Sequence, residues 1–130
     1  MGRWVVDDPS EEGRVPVSVL MIDLDGVISS EERTFERSLA RPLPGAVDAM
    51  RRLRAKGHRL VVYSGRSWAE LAMTEDWLRR YKVPYDSILL GKPVADMWVD
   101  DRAIRFVDWG QALADIEAWD VKGGPATKAG

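Results

Sequence analysis

Val19-Leu20-Met21-Ile22-Asp23-Leu24-Asp25-Gly26-Val27-Ile28 is the stretch that decides how this chain reads. An apolar run delivers two carboxylates, one residue apart, to the point where a strand must end. Gly26 then lets the backbone turn before Val27-Ile28 resume apolar character. Charge at the tip of a core strand costs stability unless something such as a cation is bound there. The plain alternative is a strand followed by an Asx-type turn, which Asp and Gly favour anyway. What lies downstream separates the two.

The chain has 130 residues, the size of one domain with a single substantial core. A formal charge of −2 provides no basic field for nucleic-acid binding. The basic clusters Arg51-Arg52-Leu53-Arg54 and Arg79-Arg80 fall in helical patterns and read as solvated faces. Cysteine is absent, which excludes disulfides, thiolate zinc sites and cysteine nucleophiles. The lone histidine, His58, argues against a histidine metal cluster or a Ser-His-Asp triad; it reads as a surface turn residue. Met1-Gly2-Arg3-Trp4 leads into charged residues rather than an apolar signal, and no apolar stretch reaches membrane-spanning length. The expectation is a cytoplasmic protein with no membrane partner.

Residues 1–16 read as an N-terminal extension in which Trp4-Val5-Val6 is a candidate edge strand. The first firm strand runs from Val17 to Asp23, and a charged connection spans Ser29 to Pro44. From Gly45 to Lys56 the apolar positions Val47, Met50, Leu53 and Ala55 recur at helical spacing, with Gly57 as C-cap. Leu60-Val61-Val62-Tyr63 is a β-branched run ending at Ser64-Gly65-Arg66. Ser67 then caps a helix whose inward stripe is Trp68, Leu71, Ala72, Trp77 and Leu78. Ser87 to Leu90 supplies another strand before Gly91-Lys92-Pro93, and Asp96-Met97-Trp98-Val99 runs into Asp100-Asp101. Ile104 to Val107 is a small additional strand candidate, a last helix extends to Trp119, and residues 121–130 form a flexible tail. Strands alternating with helices predict an α/β, doubly wound parallel sheet. In such folds the loops at the carboxyl ends of strands build the site. Asp23, Asp25, Ser64, Lys92, Asp100 and Asp101 are therefore expected at one sheet edge.

That set has a coherent chemistry. Asp23, Asp25 and the Asp100/Asp101 pair offer only oxygen ligands, which suit Mg²⁺. Ser64 Oγ and the amide hydrogens after it, at Gly65 and Arg66, can hold a phosphate oxygen. Lys92 neutralises phosphate charge and relieves repulsion between the carboxylates. A carboxylate beside Mg²⁺ and a cation can attack phosphorus.

With these residues in place the sequence resembles the haloacid dehalogenase superfamily of phosphohydrolases. Its four motifs are matched in order by Asp23-Leu24-Asp25-Gly26-Val27, Val61-Val62-Tyr63-Ser64-Gly65-Arg66, Gly91-Lys92-Pro93 and Trp98-Val99-Asp100-Asp101-Arg102. The resemblance implies a haloacid-dehalogenase-like domain over residues 17–120, built as a three-layer Rossmann-like parallel sheet without a substantial cap. It implies that Asp23 is nucleophile and Mg²⁺ ligand, and that Asp25 is general acid/base with its backbone carbonyl on the metal. Ser64 and Lys92 would bind the transferring phosphoryl group. Asp101 is the preferred further metal ligand, with Asp100 in support. The implied activity is Mg²⁺-dependent hydrolysis of a small phosphorylated metabolite, a sugar phosphate or nucleotide, through an aspartyl-phosphate. An acid at Asp25 favours phosphatase over dehalogenase chemistry, because an alkoxide leaving group needs a proton and a halide does not. The chain also resembles small capless bacterial proteins with a Gly-Lys-Pro…Asp-Asp-Arg-Ala ending, associated with capsule or sugar-phosphate pathways. Two alternatives stand beside this reading: a polynucleotide 3′-phosphatase-like enzyme, against which the near-neutral charge counts, and a catalytically silent binding protein of the same fold. An open site and several tryptophans leave room for a homo-oligomer.

Other residues divide between functional and structural roles. Arg66 is either a substrate contact or a surface arginine at a helix start. Arg102 is expected in a structural ion pair. Glu31, Glu32, Arg33, Glu36 and Arg37 form a solvated segment or a gating flap. Trp68, Trp77 and Trp98 read as core by their spacing, and Trp109 and Trp119 as core or subunit contact. Gly123-Gly124-Pro125-Ala126-Thr127-Lys128 lacks the spacing and preceding strand of a phosphate-binding loop.

Overall fold

In a computed structural model, residues 18–122 are described; the N-terminal edge-strand candidate and residues 123–130 of the expected tail lie outside them, while residues 121–122 belong to the last helix rather than to a tail. Three short apolar runs become strands β1 (Val19–Asp23), β2 (Arg59–Tyr63) and β3 (Ser87–Leu89). They pair in parallel in the order β1-β2-β3, with Asp23 opposite Tyr63 and Tyr63 opposite Leu89. Side chains alternate across a strand, so Leu20, Ile22, Leu60, Val62 and Ile88 line one face and join the core. The other face is more open at Val19 and Met21 of β1 and Leu89 of β3.

Helix α1 (Ala46–Ala55) buries Ala46, Ala49, Met50 and Leu53, a stripe at helical spacing that meets the sheet. Helix α2 (Leu71–Arg80) buries Thr74, Trp77 and Leu78, and α3 (Trp109–Lys122) adds Trp109 and Ala112 to the same core. Residues of α1, α2 and α3 all join the core on that same face of the sheet. Strands alternate with helices as expected, but among the described residues the sheet has three strands and its helices pack on one face rather than on both as the doubly wound, three-layer expectation required.

The helix ends follow the backbone chemistry of their residues. Gly57, at φ 98°, donates its N–H to Arg54 O at 2.9 Å while His58 donates to Leu53 O at 3.3 Å. This is the paired closure that a left-handed residue permits. It tucks His58 in, so this residue is buried rather than the surface turn residue expected. At the end of α2, Lys82 takes the left-handed place with φ 57°, and Lys82 N and Val83 N reach Arg79 O and Leu78 O. Ser67 caps as expected, but on a short 3-10 helix, Trp68–Glu70, that leads into α2, with Glu70 completing a capping box.

The connection from β1 to α1 carries a single 3-10 helix, Thr34–Leu39. It is tied to the body by an Arg37–Glu70 ion pair at 2.7 Å and by Trp77 Nε1 donating to Ala40 O at 2.8 Å. The charged segment is thus partly anchored rather than wholly solvated. The run Asp96–Val99, expected to carry Asp100 and Asp101 to the sheet edge, forms no strand, nor does the strand candidate at Ile104–Val107; the chain is irregular from Leu90 to Asp108. Three apolar residues between acidic groups bury no common face, and Val99 is 98% exposed, so sheet pairing there gains little. No helix among the described residues is long and apolar enough to cross a membrane.

Candidate active site

The loop after β1 is a tight knot around Leu24. Its carbonyl accepts from Val27 N, Ile28 N and Ser29 N at 2.9 to 3.2 Å, and Gly26 supplies the required φ of 84°. Trp109 Nε1 closes on Val27 O at 2.8 Å, pinning this loop to α3. Asp23 ends β1 and Asp25 sits in the knot, so both carboxylates are fixed to rigid backbone.

The loops after β2 and β3 are laced together beside them. Ser64 N donates to Leu89 O, Lys92 N to Ser64 O at 2.9 Å, and Gly91 N to Arg66 O at 2.8 Å. Gly91 has φ 75°, and a Cβ there would approach Trp68 Nε1 to 3.1 Å. This lacing aims Lys92 back across the sheet edge, with Nζ 3.4 Å from Asp23 Oδ2. The ammonium also lies 4.4 Å from the centre of the Tyr63 ring and 5.7 Å from that of Trp98.

Asp25 has a different environment. Arg66 Nη2 donates to its Oδ1 at 2.8 Å and Nε to its Oδ2 at 3.1 Å, while Ser64 Oγ donates to Oδ2 at 3.0 Å. The Arg66 side chain is 1% exposed; its remaining nitrogen donates to Thr74 Oγ1 of α2 at 2.9 Å. Arg66 is therefore neither a surface residue nor a free substrate contact. It is a strut between α2 and the first motif.

These partners split two neighbouring carboxylates. Burial raises the Asp23 pKa above its ordinary value, and Lys92 and the Leu24 N–H only partly oppose this. Burial pushes Asp25 upward too, but hydrogen bonds and charge from Arg66, with Ser64 and the more distant Arg37, bring it below the ordinary value. The split runs opposite to the roles the resemblance implies, in which Asp23 is the ionised nucleophile and Asp25 the proton donor, so the Arg66 contact holds Asp25 in its basic form.

The structure thus brings together Asp23, Asp25, Ser64, Gly65, Arg66 and Lys92. It does not bring Asp100 and Asp101 into the same set: both are exposed on the irregular segment, and Asp100 Oδ1 accepts from Arg102 N at 2.8 Å. Arg102 thus meets Asp100 through its backbone rather than by the expected ion pair. Among the described residues no group of three or more acidic or histidine side chains is assembled to hold a metal ion. The expected gathering of four aspartates fails because the strand that would set their position is missing. Trp68 and Trp98, expected in the core, are half exposed, Trp68 against Gly91 and Trp98 near Lys92, whereas Trp77 and Trp109 are buried. The buried role of Arg66 was the main feature sequence reasoning left open. Its signal was Thr74, a polar residue on the inward stripe of α2 at helical spacing from Trp77 and Leu78.

Comparison with known proteins places the fold. The chain is similar to a structural-genomics target from Vibrio cholerae, with TM-score 0.67 and 23% identity over 82% of this chain and 99% of that one. A conserved protein from Bacteroides thetaiotaomicron is similar with TM-score 0.57 and 23% identity, over 78% and 91% of the two chains. A chain of the Pnkp1/Rnl/Hen1 complex is similar with TM-score 0.52 and 22% identity, over 69% of this chain and 32% of that one. No family model and no curated protein matches the sequence.

Proposed function

We propose that the chain is a Mg²⁺-dependent phosphomonoester hydrolase of the haloacid dehalogenase type, acting on a small phosphorylated metabolite. The observation that carries this reading is Asp23 beside Lys92, with Asp25 and Ser64 alongside at one sheet edge. In this reading Asp23 attacks phosphorus in line, forming an aspartyl-phosphate and breaking the bond to the ester oxygen. Lys92 holds the phosphoryl oxygens and offsets their charge. Asp25, ionised against Arg66 in the structure, must loosen that contact and take up a proton from solvent before it gives one to the departing alcohol oxygen; it then takes one from the water that cleaves the aspartyl-phosphate. The Ser64 proton is committed to Asp25 in the structure, so contact with a phosphoryl oxygen requires its hydroxyl to rotate. The amides of Gly65 and Arg66 belong to the same loop, although Arg66 N already reaches Ser64 Oγ at 3.1 Å.

The donor set suits Mg²⁺ in part. Asp23 Oδ2 and the backbone carbonyl of Asp25 are hard oxygens of the kind Mg²⁺ takes along with water and substrate oxygens. Asp101, or Asp100, would join only by movement of its segment. When bound, the ion would supply charge neutralisation at the phosphoryl group.

A panel of phosphate esters assayed with and without Mg²⁺ tests the proposal. Mg²⁺-dependent turnover of at least one ester supports it, and Mg²⁺ binding without turnover of any member favours a silent binding protein. The similarity to a chain of an RNA repair complex favours one second reading, a phosphatase acting on nucleic-acid ends. Preference for 3′-phosphorylated oligonucleotides over mononucleotides would identify that activity.

A further inference from the structure

Two indole rings flank the Lys92 side of the site with about half their surface in solvent, Trp68 at 50% and Trp98 at 56%. The Trp98 ring centre is 5.7 Å from Lys92 Nζ, and that Nζ is 3.4 Å from Asp23 Oδ2. Trp68 lies against Gly91, the residue before Lys92, close enough that a Cβ at Gly91 would crowd its Nε1. The Trp98 ring is therefore within one side chain of the cation that the phosphomonoesterase reading assigns to the phosphoryl group, and Trp68 borders the backbone just before that lysine.

The same rim is apolar elsewhere. Val94 lies beside Gly65, and both Val94 and Met97 are largely exposed on the irregular segment. Beside the exposed carboxylates of Asp96, Asp100 and Asp101, this segment offers ring faces and methyl groups to a partner. Large exposed indoles are unusual on a soluble surface and favour a flat apolar partner. The faces of nucleobases meet that need, and stacking requires no net positive charge from the protein.

We propose that Trp68 and Trp98 form a stacking platform for a nucleobase on the alcohol side of the phosphate ester. The substrate class is then a nucleoside phosphate, free or at the end of an oligonucleotide, rather than a sugar phosphate. This inference rests on the phosphomonoesterase reading, and its test separates the two.

Adenosine 5′-monophosphate and ribose 5-phosphate differ by the base alone. The wild-type chain is expected to prefer the nucleotide in kcat/KM by at least about tenfold, as expected when a base stacks on an aromatic ring. Trp98→Ala and Trp68→Ala should each collapse that ratio, and Trp98→Phe should restore much of it. A wild-type ratio near unity, or a ratio unmoved by both alanine substitutions, overturns the proposal. A short 3′-phosphorylated oligonucleotide tells the two sources apart: preference for it assigns nucleic-acid ends, and preference for the mononucleotide assigns free nucleotides. If no ester is turned over, the phosphomonoesterase reading fails by itself, and binding decides the platform. Quenching of tryptophan fluorescence by adenosine 5′-monophosphate that is lost in the alanine variants supports it; absent or unchanged quenching overturns it.

Discussion

Arg66 lies along the Asp25 carboxylate as a two-pronged donor, Nη2 to Oδ1 at 2.8 Å and Nε to Oδ2 at 3.1 Å, from a side chain that is 1% exposed. A pair so placed costs much to break, because the survivor is left as an unpaired charge in a poor solvent. Arg66→Leu should lower stability by about 3 kcal/mol. Arg66→Lys keeps the charge without the planar fork and should lose about 1–2 kcal/mol. Urea denaturation measures both. A loss of less than about 0.5 kcal/mol for Arg66→Leu, the scale of an ordinary surface substitution, would contradict the strut.

The same pair gives stability a pH dependence of known sign. The folded chain holds Asp25 below its ordinary value of 3.8, so its ionised form favours folding. That contribution is complete above the unfolded pKa and disappears as pH falls through the folded one. Asp25→Asn should be less stable at neutral pH and should lose less further stability on acidification. Denaturation series across that range check this; parallel acid limbs for the two proteins would count against it.

Asp23 runs the other way. Burial holds its folded pKa above the ordinary value, so its favourable contribution exists below the unfolded pKa and is lost as pH rises through the folded one. At neutral pH the ionised side chain is a cost. Asp23→Asn should therefore melt at a higher temperature than the wild type, a stability gain at the expense of function. Added Mg²⁺ should raise the melting temperature of the wild type and leave that of the variant unmoved. A variant that melts lower, or responds equally to Mg²⁺, argues against this role for Asp23.

Lys82 closes α2 from the left-handed region at φ 57°, a place glycine occupies without strain. Lys82→Gly should stabilise the chain by about 0.5–1 kcal/mol, the cost of holding an L side chain there. Thermal denaturation reads the sign directly, and a destabilised variant would show that this closure is not strained.

Much of this was legible in the sequence, for physical reasons. Strands β1 and β2 were visible because the apolar runs ending at Asp23 and Tyr63 are bounded by turn residues. Helix α1 was visible because Met50 and Leu53 keep helical spacing up to Gly57. The grouping of Asp23, Asp25, Ser64 and Lys92 followed from the rule that parallel strands end on one edge. Long-range partners were less visible. Nothing local to Arg66 says that its guanidinium turns inward to Asp25, since the ends are 41 residues apart in sequence. Trp98 carries the composition of a core residue, yet the strand expected to bury it does not form. Asp100 and Asp101 were misplaced for the same reason, because their expected position depended on that strand.

The central claim is that Asp23 is the attacking group of a Mg²⁺-dependent phosphatase. Its most direct test is hydrolysis of a generic aryl phosphate by the wild type and by Asp23→Asn, with the fold of each checked by circular dichroism. The account predicts Mg²⁺-dependent turnover by the wild type and none above background by a folded Asp23→Asn. A folded Asp23→Asn that keeps wild-type turnover would contradict it.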